Sequence, residues 1–333
     1  MQRDSWHRHR GLWIALIVVL LVMVIGRLVA PSLIKKIINS KLENMEGGYQ
    51  GSVEDVVIRM LDAEIGLRGM RIVKKNGLVP VPFMQMKELV LRTERESWRP
   101  RTVLRIIEPN AAFVDAESEA RKQKGPPHQL DNLSKQLPFE LLRVEVVNGQ
   151  FHFRNFQTKP DIDVYAHDLN AVWDKLVGCL PPGSSACHSH LEASAVLLKS
   201  GKLDATGTFA RTPEVDFHLD AKVNGLRVPQ LNPVLAQYAK VDVKKGDADL
   251  TLRYDRNAQH HHVLLVPALT GFEVVGSDDK KTSFARELGV AAAAGYFERK
   301  AGKKAISIDS KPGHDTDFKL IDLPGKASDK ANK

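Results

Sequence analysis

The chain has 333 residues, 43% apolar and 26% charged, with a formal net charge of +8 and a pI near 9.3. This composition excludes a disordered tail and gives length for one large or two ordinary folded domains. The basic excess is spread thinly: its densest piece, residues 92–105, sets five arginines against Glu94 and Glu96, so a solvated face or anionic headgroups fit it and nucleic acid does not.

Residues 1–10, MQRDSWHRHR, carry Arg3, Arg8 and Arg10 against Asp4. Residues 11–30 follow, unbroken and apolar from Leu12 to Ile25, and Arg27 is their only charge. At about 1.5 Å per residue they cover roughly the 30 Å of a bilayer core. The positive-inside rule keeps residues 1–10 cytoplasmic and sends everything after Ala30 across the membrane, while Arg27 snorkels to the headgroups. A cleaved signal peptide ending at Leu28-Val29-Ala30 is the rival reading. The long apolar core and Pro31 just after the cut argue against it.

Residues 31–46 predict an amphipathic helix. Leu33, Ile34, Ile37, Ile38 and Leu42 fall on one side at helical spacing, Lys35, Lys36 and Lys41 on the other. This helix lies on the outer leaflet or caps the end of the domain.

From Tyr49 the apolar period becomes two, and residues 47–115 predict an N-terminal β segment with strands around Val56, Leu67–Val73, Met86–Leu91 and Thr102–Val114. Residues 116–136 are polar and predict a mobile linker or short surface helix. In the β-domain over 137–310, Asn148-Gly149 predicts a hairpin joining Leu142, Val144 and Val146 to Phe151 and Phe153. Further alternating runs hold Val164, Leu191, Leu203 and the series Val215, Phe217, Leu219, Ala221 and Val223. A short helix is expected over Asn232–Ala239 and a turn at Lys244-Lys245-Gly246. Beyond it lie strands holding Leu250 and Leu252, then Val263–Val266. A helix over Ser283–Phe297, a last strand at Ile306 and Ile308, and a frayed polar tail over 311–333 complete the chain. The expected fold is mainly β: an N-terminal transmembrane helix, about three further helices and a mainly antiparallel sheet with one wet face. Too few helices are available to cover the dry face, so the sheet must curl on itself, pack as a sandwich or hold an apolar ligand.

Cys179 and Cys187 flank LPPGSSA, which reads as a disulfide closing a loop in an oxidising compartment. Free thiols are a second reading. A metal site using His188 and His190 is a third, although the spacing is not a usual zinc one. No phosphate-binding loop, dinucleotide fingerprint, nucleophile elbow or zinc-protease helix is present. Three adjacent histidines, His260-His261-His262, fall beside the hairpin loop expected at Asp255-Arg256-Asn257 and point to different sides, which favours solvation over a metal. The residues therefore predict neither an enzyme nor a cofactor.

Four stretches resemble AsmA-like membrane-anchored envelope proteins, particularly the branch long filed as a domain of unknown function. Gly48-Tyr49-Gln50-Gly51-Ser52-Val53-Glu54-Asp55-Val56 resembles the opening GYxGxVxDV strand. Leu67 to Ile72, with Val81-Pro82 and Trp98 to Asp115, looks like the next segment, which ends in PxxxFVD. Val144 to Lys159 with Asp168-Leu169-Asn170 is similar to the NGxxxFxD block, and Val223 to Tyr254 resembles LPxLNPYLxxYAxxxVxxGxLxLxLxY. The cysteine loop, Asn155 in place of an acid, and the modest length depart from the pattern. The resemblance implies a periplasmic β-groove protein held in the bacterial inner membrane, passing phospholipid or another acyl-chain lipid along an apolar inner face. Val144, Val146, Phe151, Phe153, Val215, Phe217, Leu219, Leu250 and Leu252 would line that groove; a dry, closed core is the other reading of the same residues. A non-catalytic assembly module for other envelope proteins is the alternative function.

Overall fold

The computed structural model describes residues 29–75, 77–96, 99–124, 141–176, 187–211, 215–239, 241–257, 260–276, 304–310 and 317–322. Residues 11–28 of the expected membrane span, the expected helix Ser283–Phe297 and Cys179 lie outside them. Among the described residues no helix is long and apolar enough to cross a membrane.

Helix α1 occupies residues 29–42. The strands that follow are β1 Tyr49–Ser52, β2 Asp55–Arg59, β3 Glu64–Lys74, β4 Met84–Glu96, β5 Arg99–Ile107, β6 Asn110–Val114, β7 Leu141–Asn155 and β8 Ile162–Asp174. The series continues with β9 Cys187–Leu197, β10 Gly201–Arg211, β11 Val215–Arg227, β12 Val241–Arg256, β13 His261–Gly276, β14 Lys304–Ser310 and β15 Asp317–Asp322. Between β11 and β12 a 3₁₀ turn Val228–Leu231, an α turn Asn232–Val234 and a π turn Leu235–Ala239 run on as one helical segment, α2. The polar tail expected from residue 311 thus contains a strand, in which Phe318 and Leu320 alternate with Lys319 and Ile321.

All fifteen strands belong to one sheet, in the order β1-β3-β4-β5-β7 and then sequentially to β15; β2 pairs with β3, and β6 with β4 and β7. Pairing is antiparallel except where β5 and β6 run parallel to β7. A parallel neighbour needs a long crossover, and the polar stretch after Val114 supplies it. Its first part is fastened to the sheet: Gln123 is buried, bridges Val114 and donates from Nε2 to the Ala112 carbonyl at 2.8 Å.

Two expected turns are β-bulges inside single strands. Asn148-Gly149 does not reverse the chain: β7 continues to Asn155, with Asn148 at φ 53° and a register shift between Val146 and Gly149. Asp168 at φ 52° makes the compensating bulge on β8. Lys245 and Gly246 are likewise a register irregularity within β12. A bulge of the left-handed kind and a tight hairpin both take a residue with positive φ, so Asn and Gly mark either one. Each bulge shifts the side-chain parity by one, which keeps Val144, Val146, Phe151 and Phe153 on one face despite their uneven spacing.

Most of the buried clusters sit where helices α1 and α2 cover the sheet. Ile34, Ile38 and Leu42 of α1 pack on Val53, Val56 and Leu67. Leu231 and Leu235 of α2 pack over Val223, Leu226, Val228, Val243 and Ala248. A third cluster joins Tyr49, Ile72 and Phe83 to Phe113 through edge-on ring contacts of 5.4 Å.

Both helices are clamped by an asparagine amide. Asn39 donates to the Val53 carbonyl and accepts from its N–H, at 3.2 and 2.7 Å. Asn232 does the same with Val243 at 3.0 Å each way. Asn232→Ala leaves two half-buried backbone groups without partners, so the denaturation midpoint should fall by the equivalent of about 1–3 kcal/mol. An unchanged midpoint would show that α2 holds its place by apolar packing alone.

Candidate functional site

Cross-strand pairing gathers the apolar residues into rows that run perpendicular to the strands. One row passes through directly paired positions from Val56, Leu67, Leu89 and Ile106 to Val146, Ala171 and Ala193. It continues through Ala205, Ala221, Leu252 and Leu265, and the register carries it to Ile306 and Leu320. A second row, two residues along each strand, includes Ile65, Leu104, Val144, Trp173, Leu191, Gly207, Leu219, Tyr254 and Val263. Neither row contains a charged residue. At about 4.8 Å per strand the twelve intervals from Val56 to Leu320 make a stripe roughly 58 Å long.

The expected lining residues fall on this face or along its margins. Val146 and Leu252 lie in the first row, Val144 and Leu219 in the second. Leu250 pairs across from Val223, Phe217 from Phe209, and Phe151 and Phe153 from Ala166 and Val164. Val215 opens β11 opposite Arg211. None of the other eight is buried: Phe151 and Phe153 leave 40% and 39% of their surface exposed, and the rest are half-buried. The first-row alanines leave a low floor between larger neighbours. Aromatic rings mark the margin away from α2. Trp173 meets Phe209 edge-on at 5.9 Å and Phe217 meets Tyr254 at 5.9 Å, while Trp173 satisfies its Nε1–H on Ser189 Oγ at 2.9 Å.

The opposite face is polar and cross-linked by ion pairs. Arg105 meets Glu145 at 3.2 Å, Arg154 meets Asp163 at 3.1 Å and Arg253 meets Asp220 at 3.0 Å. An open recess of about 940 Å³ on this side is lined by groups of both signs, Arg105, Glu145, Glu192, Asp220 and Arg253 among them.

A further row on the polar face was not anticipated. Paired positions run Asp174, His190, Thr208, His218, Asp255, His262 and Asp309 over seven strands, acids and imidazoles alternating except where Thr208 stands between His190 and His218. The sequence signal was a histidine at a wet strand position close to a turn in β9, β11 and β13. His261 and His262 belong to β13 and not to the expected loop. His261 turns to Tyr254, whose hydroxyl lies 2.9 Å from its Nδ1, and His262 pairs across from Asp255. Among the described residues no group of side chains has the arrangement to hold a metal ion.

His218 is held at both ring nitrogens, Nδ1 against Asp255 and Nε2 against Asp220 at 2.8 Å. Only the imidazolium can donate to two carboxylates at once. The hydrogen bonds to Asp255 and then Asp220 accordingly raise its pKa above the ordinary imidazole value. Burial pushes Asp220 upward, but hydrogen bonds from His218 and Arg253 outweigh it and hold the carboxyl below its usual range. A raised imidazole pKa means that this stabilisation is full below about pH 6.5 and is lost as pH rises through the folded value. The thermal midpoint should therefore decline from pH 6 toward 9 more steeply in the wild type than in His218→Gln; parallel profiles would refute the linkage.

No protein-family model matches the chain, and no curated protein matches it. The likeness to AsmA-like proteins therefore rests on the four stretches quoted above.

Proposed function

We propose that the chain is a membrane-anchored envelope protein whose apolar sheet face binds the acyl chains of phospholipid, with the headgroups kept wet. The observation that carries this reading is the charge-free cross-strand stripe whose side chains stay half-exposed over the middle of the sheet. α1 and α2 cover only parts of it among the described residues. Each methylene laid on such a surface contributes up to about 0.8 kcal/mol, so an acyl chain lying across the strands is held without any polar contact. The apolar run Leu12–Ile25 would hold the protein in a bacterial inner membrane with the sheet on the periplasmic side. In that oxidising space Cys179 and Cys187 would close their loop as a disulfide. A stripe of this length falls short of a whole periplasm, so transport across it requires partners or further copies.

The test is native mass spectrometry with lipid extraction on the full chain released in mild detergent. Bound phospholipid in defined stoichiometry is the expected result. Protein free of lipid would overturn the reading in favour of an assembly module whose apolar face is covered by another envelope protein.

A further inference from the structure

The sequence offered two places for α1, lying on the bilayer or capping the sheet, and the structure divides its apolar residues between two faces. Ile34, Ile38 and Leu42 turn to the sheet. Val29, Leu33 and Ile37, spaced four apart, form an outward stripe, and Leu33 and Ile37 each expose more than half their surface. Helical geometry sets the exposed Lys36 beside that stripe and the exposed Lys41 at its end, one turn beyond Ile37.

The direction of α1 follows from its contacts. Leu42 lies beside Gly51, where an added Cβ would come within 3.2 Å of the leucine Cβ, and Asn39 clamps Val53. The helix thus runs antiparallel to residues 51–56, and its first turn points toward the β2–β3 turn. There Leu61 is fully exposed and Met60 about half exposed. Between α1 and β1 lies an open recess of about 600 Å³ whose lining includes Lys35, Lys36, Asn39, Glu43 and Ser52.

We infer that this end of the molecule is a membrane seat: the outward stripe of α1 and the Met60–Leu61 turn enter the bilayer interface, and Lys35, Lys36 and Lys41 take anionic headgroups. The occupant follows from the chain itself. Only three residues separate the apolar run ending at Ile25 from Val29, so a bilayer that holds the run lies against the first turn of α1. An apolar helical stripe flanked by lysines is the pattern of an interfacial helix on anionic lipid. The inference does not require lipid on the sheet.

The test uses the full chain in vesicles of phosphatidylcholine with phosphatidylglycerol. A photoreactive benzophenone side chain is placed in turn at position 37, at position 61 and, as a control, at Tyr238, exposed on α2 away from this end. Positions 37 and 61 should give phospholipid adducts many-fold above position 238, with the yield at 37 falling in pure phosphatidylcholine. Adducts to a second copy or to another segment of the chain in place of lipid would overturn the seat, as would equal lipid yields at all three positions. A yield at 37 indifferent to phosphatidylglycerol would overturn the headgroup role of the lysines. Native mass spectrometry of groove mutants reads a different surface, so failure of the seat and failure of the lipid-binding reading are distinguishable.

Discussion

Phe151→Asp and Phe153→Asp, made separately in the full chain, are expected to lose bound phospholipid while the protein stays folded. Each ring leaves about two-fifths of its surface in solvent. Phe151 touches Phe113 at a centroid distance of 5.2 Å, a pair contributing about 0.5–1.5 kcal/mol, so neither substitution opens a large internal cavity. In the lipid-free protein the new carboxylate keeps its water. An acyl chain crossing the same point strips that water, a penalty of at least about 2 kcal/mol for an unpaired polar group and more for a charge. Since about 1.4 kcal/mol is a factor of ten, retained lipid should fall more than about tenfold. Thr251→Asp places the same charge on the polar face beside Lys222, its cross-strand partner, and should leave lipid unchanged. Equal retention in all three variants, measured by mass spectrometry after identical purification, would remove the apolar face from the mechanism.

The fold was legible where side-chain period alone decides it. Val215, Phe217, Leu219, Ala221 and Val223 alternate with charged residues without a break, and β11 forms over that stretch. Legibility failed where the chain changes parity without reversing. Asn148-Gly149 carries every local mark of a hairpin, and only the neighbours β5, β6 and β8 decide that β7 runs straight through with a bulge. The helix 31–46 was legible as an element, but its five apolar residues looked like one face. The sheet takes Ile34, Ile38 and Leu42 and leaves Leu33 and Ile37 outside, because a helix on the end of a sheet meets it along one narrow line. The acid–imidazole row was invisible for a related reason. His190, His218 and His262 are each an ordinary wet residue on its own strand, and pairing register alone sets them in line. The candidate lining residues were legible as apolar positions. Whether they formed a covered core was not, since it depends on what lies over the face.

Leu226→Ala and Phe153→Ala are expected to separate core from binding face within the same apolar surface. Leu226 is 1% exposed. It follows Gly225, whose φ of 68° makes the β11 bulge, and it packs with Leu198 and Val223 beneath Leu231 of α2. Packing there is tight: a Cβ on Gly201 would sit 3.2 Å from a Leu226 methyl. The neighbours are fixed by strand pairing on one side and by the α2 clamp on the other, so the site cannot collapse. Leu226→Ala should therefore destabilise by about 2–5 kcal/mol, read as a shift in urea midpoint at constant slope. Phe153 has no layer over it among the described residues, and about two-fifths of its surface already faces water. Phe153→Ala should shift the midpoint by a fraction of that amount while lowering the lipid retained. If both alanine variants lose the same stability, Phe153 is packed as deeply as Leu226, the face is closed, and no room remains on it for an acyl chain.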